Sequence, residues 1–162
     1  MSIHFVKGDM LEANLDYYCH QVNCQGRMGS GIAKAIKEKW PIVYTNYMAK
    51  FEDIQPEYFK LFLGTIQFVP LYNDYYLDKE RKQVINMFAQ ETYGYDGRRY
   101  TSYDAFWSCL GQIKNSIPKG SKIGFPDHIG CGLGGANWEV IRTMIWEVLA
   151  EDFDVYIYKL EA

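Results

Sequence analysis

Two clusters of glycine constrain this chain more than any other feature. The first is Gly26-Arg27-Met28-Gly29-Ser30-Gly31-Ile32-Ala33 and the second is Ile129-Gly130-Cys131-Gly132-Leu133-Gly134-Gly135. Each lies between a strand pattern and a helix pattern. Tyr17–Asn23 reads as the strand before the first cluster. After it, Ile32, Ala35 and Ile36 fall on one helical face, with Lys34, Lys37 and Glu38 elsewhere. Lys122–Phe125 reads as the strand before the second cluster. A helix follows, with Asn137 as its cap and Trp138, Ile141, Ile145, Trp146 and Leu149 as its apolar residues. Glycine lets a backbone bend sharply and approach a ligand without a Cβ in the way. The first N–H groups of a helix lack internal partners, so a phosphate can satisfy them and gain from the helix dipole. One such loop is most simply a tight turn. Two, facing each other, could hold the two phosphates of a diphosphate.

Neither cluster follows the best-known phosphate motifs. No Gly-Lys-Ser/Thr is present, which excludes a P-loop. Gly29-Ser30-Gly31 lacks the later glycine of the dinucleotide fingerprint.

The rest of the chain completes an α/β pattern. Ile3–Lys7 reads as a first strand closed by Gly8-Asp9. Trp40-Pro41 breaks the first helix, and Pro41 suits the first turn of a second. Tyr44, Tyr47, Met48 and Phe51 form its apolar stripe. Phe62–Tyr72 and Lys82–Phe88 read as strands joined by a polar turn around Asn73 to Glu80. Gln90–Tyr100 reads as a loop. Thr101 is the expected cap of a helix carrying Phe106, Leu110, Ile113 and Ile117, ended by Pro118 and Gly120. Asp154–Leu160 closes the chain as a strand. With 162 residues, 48% hydrophobic, this predicts a single domain over 1–162: a mixed sheet covered by helices on both faces.

The totals narrow the function classes. The net charge of −3 demotes non-specific nucleic-acid binding. Cys19, Cys24, Cys109 and Cys131 form no CxxC pair, and the three histidines do not cluster near them, so no metal site is expected. Neither Cys24 nor Cys131 has an evident base beside it, so neither reads as a nucleophile. No leader and no membrane-spanning run is evident, which points to a cytoplasmic protein with reduced thiols.

Taken together, Lys7-Gly8-Asp9-Met10, Val22-Asn23-Cys24, Met28 to Ala33 and Ile129 to Trp138 resemble the macrodomain family over nearly the whole chain. The resemblance implies a three-layer α/β/α fold, ADP-ribose or a derivative as partner, and no cofactor. It implies that Asp9 accepts from the adenine amino group, with Met10 beside it. Gly29, Ser30, Gly31, Ile32 and Ala33 would cradle one phosphate. Ile129, Gly130, Cys131, Gly132, Leu133 and Gly134 would cradle the other. Asn23 would hold the distal ribose, and Tyr156 or Tyr158 would flank adenine. On the residues alone, Gly8-Asp9 also reads as a plain turn, Asn23 as a loop organiser, and the two tyrosines as structural.

For chemistry, the run His20-Gln21-Val22-Asn23-Cys24-Gln25-Gly26 is similar to that of the ADP-ribose-1''-phosphate phosphatase branch. That similarity implies catalytic roles for His20 and Asn23, with His20 activating water or protonating the leaving oxygen. Read without it, His20 is a structural strand histidine. The lysine and aspartate of another hydrolase branch are missing: that region reads Asn86-Met87-Phe88-Ala89-Gln90, and Gly134 stands at the aspartate position. Asp127 and His128 read either as an acid/base pair near the distal phosphate or as solvated loop residues. Gln90, Tyr93, Arg98 and Arg99 are candidates to cover the distal ribose. The alternatives to a phosphatase are a non-catalytic reader of ADP-ribosylated macromolecules, an ADP-ribosyl hydrolase acting on modified protein or DNA, and, most weakly, an RNA-binding module.

Overall fold

A computed structural model describes residues 2–72 and 81–161. In chain order the strands are β1 (Ser2–Lys7), β2 (Tyr17–Asn23), β3 (Ile66–Pro70), β4 (Gln83–Gln90), β5 (Lys122–Pro126) and β6 (Asp154–Lys159). The helices are α1 (Gly31–Lys39), α2 (Pro41–Ala49), α3 (Tyr103–Ser116) and α4 (Trp138–Leu149). Two 3-10 segments, Met10–Glu12 and Pro56–Phe62, complete the elements.

The six strands form one sheet in the order β1-β6-β5-β2-β4-β3. Only β3 runs antiparallel, against β4. The other pairings are parallel, so the sheet is mixed, as expected. Alternation of side chains across the strands divides the core in two. Cys19, Ile85, Met87, Ile123, Phe125, Val155 and Ile157 pack against α3 and α4. Tyr18, Val22, Val69, Val84 and Phe88 pack against α1 and α2 through Ile36, Val43 and Tyr47. Strand β4 is buried from Val84 to Ala89, in keeping with its apolar run, which Asn86 alone interrupts. Three layers follow directly.

Two boundaries differ from the sequence expectation. Phe62 ends a 3-10 segment and is not the start of a strand. Gly64 then turns the chain at φ +86, and β3 begins only at Ile66. Helix α3 is capped by Ser102, whose hydroxyl accepts from the Ala105 N–H at 3.1 Å. Thr101 instead bridges to Gln90 and serves the site described below. The turn expected around Asn73 to Glu80 lies outside the described residues. Among the described residues, no helix is long and apolar enough to cross a membrane.

Candidate functional site

The site follows from the strand order. After β2 the chain crosses by α1 and α2 on one face toward β3 and β4. After β5 it crosses by α4 on the other face to β6. The neighbours β5 and β2 are therefore where the connections turn in opposite directions, and such a switch point opens a crevice at the carboxyl ends of the strands. The two strands pair only at Tyr17–Ile123 and Tyr18–Gly124. Both glycine clusters leave from this point. The crevice they border has a volume of about 570 Å³, a size suited to a nucleotide.

One wall is the first cluster. Gly29, Ser30, Gly31, Ile32 and Ala33 line it. Ser30 occupies the cap position of α1 without a capping side-chain bond; its hydroxyl lies 3.2 Å from that of Tyr95 instead. The N–H of Lys34 is the first bonded to Ser30, so the amides of Gly31, Ile32 and Ala33 precede the helical ladder and face the crevice end. Arg27, Lys37 and Tyr44 also line this wall. The Lys37 ammonium sits 4.0 Å from the Tyr44 ring centroid, which places a cation on this wall. Sequence reading missed Lys37 and Tyr44. The signal was there: Lys37 lies on the first helix, and Tyr44 follows its proline break.

The opposite wall is the second cluster. Ile129, Gly130, Gly132, Leu133 and Gly134 line it, whereas Cys131 does not. The Cys131 thiol donates to the Ile129 carbonyl at 3.4 Å, and burial pushes it up to about 11. Cys24 is likewise pushed up to about 12 by burial. Neither thiol is activated. Thr101 fastens this wall by donating to the Gly130 carbonyl at 2.8 Å. A Cβ at Gly134 would stand 2.5 Å from the Thr101 hydroxyl and 2.6 Å from the Gly130 carbonyl oxygen. An aspartate at this position would not fit the loop as built.

The floor between the walls is polar. The Gln21 amide donates to Gln90 Oε1 and to Thr101 Oγ1, both at 2.7 Å. Gln21 and Gln90 line the crevice beside Tyr93 and Tyr95. Of the four candidates to cover the distal ribose, Gln90 and Tyr93 line the crevice. Arg98 and Arg99 do not: Arg98 pairs with Asp96 at 3.1 Å, and Arg99 lies over the Tyr103 ring at 4.4 Å in a separate hollow.

Asn23 lines the crevice, and its side chain shapes the first cluster. Its Oδ1 accepts from the Gln25 N–H at 3.0 Å and faces the Tyr47 hydroxyl at 2.9 Å. Its amide donates to the Arg27 carbonyl at 2.9 Å. One amide hydrogen is left for a ligand. Tyr47 also accepts from the Gly26 N–H at 3.1 Å and donates to the Asn23 carbonyl at 2.7 Å, tying loop, strand and helix together.

His20 does not line the crevice. It is fully buried on the α1–α2 face, where its Nε2 donates to Asn86 Oδ1 at 2.5 Å. Asn86 passes the chain of bonds to Gln67 at 3.0 Å, and Gln67 to the Asn46 carbonyl at 2.8 Å. Burial lowers the imidazole to about 4, so it is neutral at ordinary pH. The expectation that His20 touches substrate is corrected accordingly. Alternation along β2 turns it away from the side that carries Gln21 and Asn23.

The expected adenine residues lie at the far end, beyond the lining of the crevice itself. Asp9 caps the first 3-10 segment by accepting from the Leu11 N–H at 2.9 Å. Met10 is buried in the core beneath it. Tyr158 stacks beside Tyr156 with centroids 6.4 Å apart. Asp127 and His128 line the crevice between this end and Asn23. Their side chains meet at 2.6 Å, and His128 stacks on Trp138 at 5.0 Å.

The fold and this crevice define an open α/β domain whose largest feature at the switch point is a cleft bordered by two glycine-rich loops. No protein-family model matches the sequence. The chain is 30% identical to an ADP-ribose 1''-phosphate phosphatase of Aspergillus oryzae, over 90% of this chain and 89% of that protein. Its structure superposes on the macrodomain of Thermus aquaticus DarG with a TM-score of 0.72, at 23% identity over 96% and 97% of the two chains. It superposes on Thermosipho africanus DarTG in complex with ADP-ribose with a TM-score of 0.74, at 22% identity, over 98% of this chain and 41% of that one. The chain belongs to the macrodomain family.

Proposed function

We propose that this macrodomain binds ADP-ribose in the crevice and hydrolyses a derivative of it, a phosphomonoester on the distal ribose first. The observation that carries the reading is the pairing of two amide-rich loops across one crevice of about 570 Å³. The relative named as an ADP-ribose 1''-phosphate phosphatase supports it, as does the aligned structure that holds ADP-ribose. In this reading the first loop grips one phosphate and the second the other. The remaining Asn23 amide hydrogen meets the distal ribose. Gln21, Gln90, Tyr93 and Tyr95 surround the reacting end. Water attacks the terminal phosphorus, the bond from phosphorus to the ribose oxygen breaks, and ADP-ribose leaves with inorganic phosphate. The protein contributes position and orientation. His20 acts through β2 as a positioning residue. No cofactor enters this scheme, and the four free cysteines suit a cytoplasmic setting.

One observation favours a second reading, a non-catalytic reader whose partners are ADP-ribosylated macromolecules. The side chains at the distal end are amides and phenols, with no carboxylate or imidazole among them. Calorimetry with ADP-ribose and phosphate release from ADP-ribose-1''-phosphate separate the readings. Binding with phosphate release establishes the phosphatase. Binding without release establishes the reader. No heat at millimolar nucleotide overturns both.

A further inference from the structure

We infer that Asp127 reads the nucleoside ribose of the bound nucleotide, accepting a hydrogen bond from its hydroxyls and turning away a nucleotide that carries a 2′-phosphate. The inference rests on the ADP-ribose reading and adds a specificity to it.

The position comes from the order of the strands. At the carboxyl ends, the strand order sets out Asp9 after β1, Tyr158 in β6, Asp127 after β5, Asn23 in β2 and Gln90 in β4, and the last three line the crevice. Paired neighbouring strands lie about 4.8 Å apart, so Asp127 stands two strands, roughly 10 Å, from the Asp9 end, and the opening between β5 and β2 separates it from Asn23. With adenine at the first and the distal ribose beyond the last, Asp127 falls at the first ribose. The main chain fixes this placement, because the Asp127 N–H donates to the Tyr158 carbonyl at 2.8 Å.

The chemistry comes from the carboxylate. Asp127 Oδ2 faces His128 Nδ1 at 2.6 Å, while Oδ1 has no partner among the described residues. The side chain is only 17% exposed. That oxygen is open to the crevice and free to accept a hydrogen bond from a ligand. In a crevice that grips a diphosphate through amides, a carboxylate cannot serve a phosphate, and ribose hydroxyls are the donors such a ligand offers. His128 holds the group in place. It adopts a left-handed φ of 59°, which a non-glycine residue rarely takes, and its ring is pinned flat on Trp138 at an interplanar angle of 17°. The consequence is selection against charge. A 2′-phosphate would bring a dianion against the free oxygen, whereas a 2′-hydroxyl satisfies it.

Calorimetry of the whole chain with ADP-ribose, 2′-deoxy-ADP-ribose and 2′-phospho-ADP-ribose tests this. The wild-type protein is expected to bind ADP-ribose at least tenfold more tightly than the 2′-phosphorylated form, with the 2′-deoxy form between them. Asp127→Asn and Asp127→Ser are each expected to narrow the first ratio to about threefold or less. Equal binding of the hydroxylated and phosphorylated nucleotides by the wild type overturns the inference, with no variant needed. So does an unchanged ratio in both variants, whatever they do to turnover. Absence of binding by every nucleotide overturns the ADP-ribose reading, and this inference with it. Binding of ADP-ribose with no discrimination leaves that reading standing and removes only the role of Asp127.

Discussion

The two glycine loops look alike in sequence, yet their glycines answer to different physical demands. In the first loop, a Cβ added at Gly29 or Gly31 would meet nothing within 4 Å. In the second, a Cβ at Gly130, Gly134 or Gly135 would press on Gln21, Thr101, the Gly130 carbonyl or the Arg98 carbonyl. Gly26 of the first loop packs near Met48 and Phe51 and Gly132 of the second is open, but the remaining glycines are bare toward the crevice in the first loop and toward the protein in the second. Composition alone cannot separate a loop kept bare for a partner from one kept bare for its own neighbours.

The sharpest way to break this comparison is Gly135→Ala. Its φ is +71, and the new Cβ would lie 2.6 Å from the Arg98 carbonyl oxygen and 3.0 Å from the Arg99 Cα. Left-handed strain and overpacking against backbone together are expected to cost about 3 kcal/mol. Differential scanning calorimetry should show the melting temperature fall by roughly 6–12 °C. A variant that melts with the wild type removes the distinction between the loops.

Beneath the first loop, stability is tied to a proton. His20 is held neutral at about 4 in the fold against an ordinary 6.5, so the unfolded chain binds more protons between those values. Stability contributed by His20 is therefore present above pH 6.5 and lost as the pH falls toward 4. At about 1.4 kcal/mol per pH unit, the loss is about 3 kcal/mol. Urea titrations across this range should show the slope. His20→Gln, which cannot titrate but can still donate to Asn86, should flatten it. An equally steep profile in the variant would place the proton elsewhere.

The smallest expected effect has the opposite sign to the first. Gly29→Ala should raise stability by about 0.5 kcal/mol, because the site is open and the unfolded chain loses freedom. The same methyl group points at the ligand wall, so ADP-ribose affinity should fall several-fold by calorimetry. Lower stability with unchanged affinity would show that Gly29 serves the protein after all.

Much of this was legible in the chain. The periodicity of Ile32 to Ile36 and of Trp138 to Leu149 marked both crossover helices, and Asn137 marked its cap. The strands around both clusters were visible because their apolar runs end abruptly in glycine. Phe62 misled because an apolar residue before Gly64 packs in a 3-10 turn as readily as in a strand. Thr101 misled because Ser102 beside it offers the same hydroxyl one residue nearer the helix.

By itself, the sequence determined the alternation of elements and the two bare loops, since both depend on local periodicity and on the absence of Cβ atoms. Only the tertiary structure decided that β5 and β2 are neighbours, that the loops face each other, and that His20 lies behind the sheet while Asp127 lies in the crevice. Those facts depend on strand order and on which face a side chain takes. Both are set by contacts between residues far apart in the chain, and no local pattern encodes them.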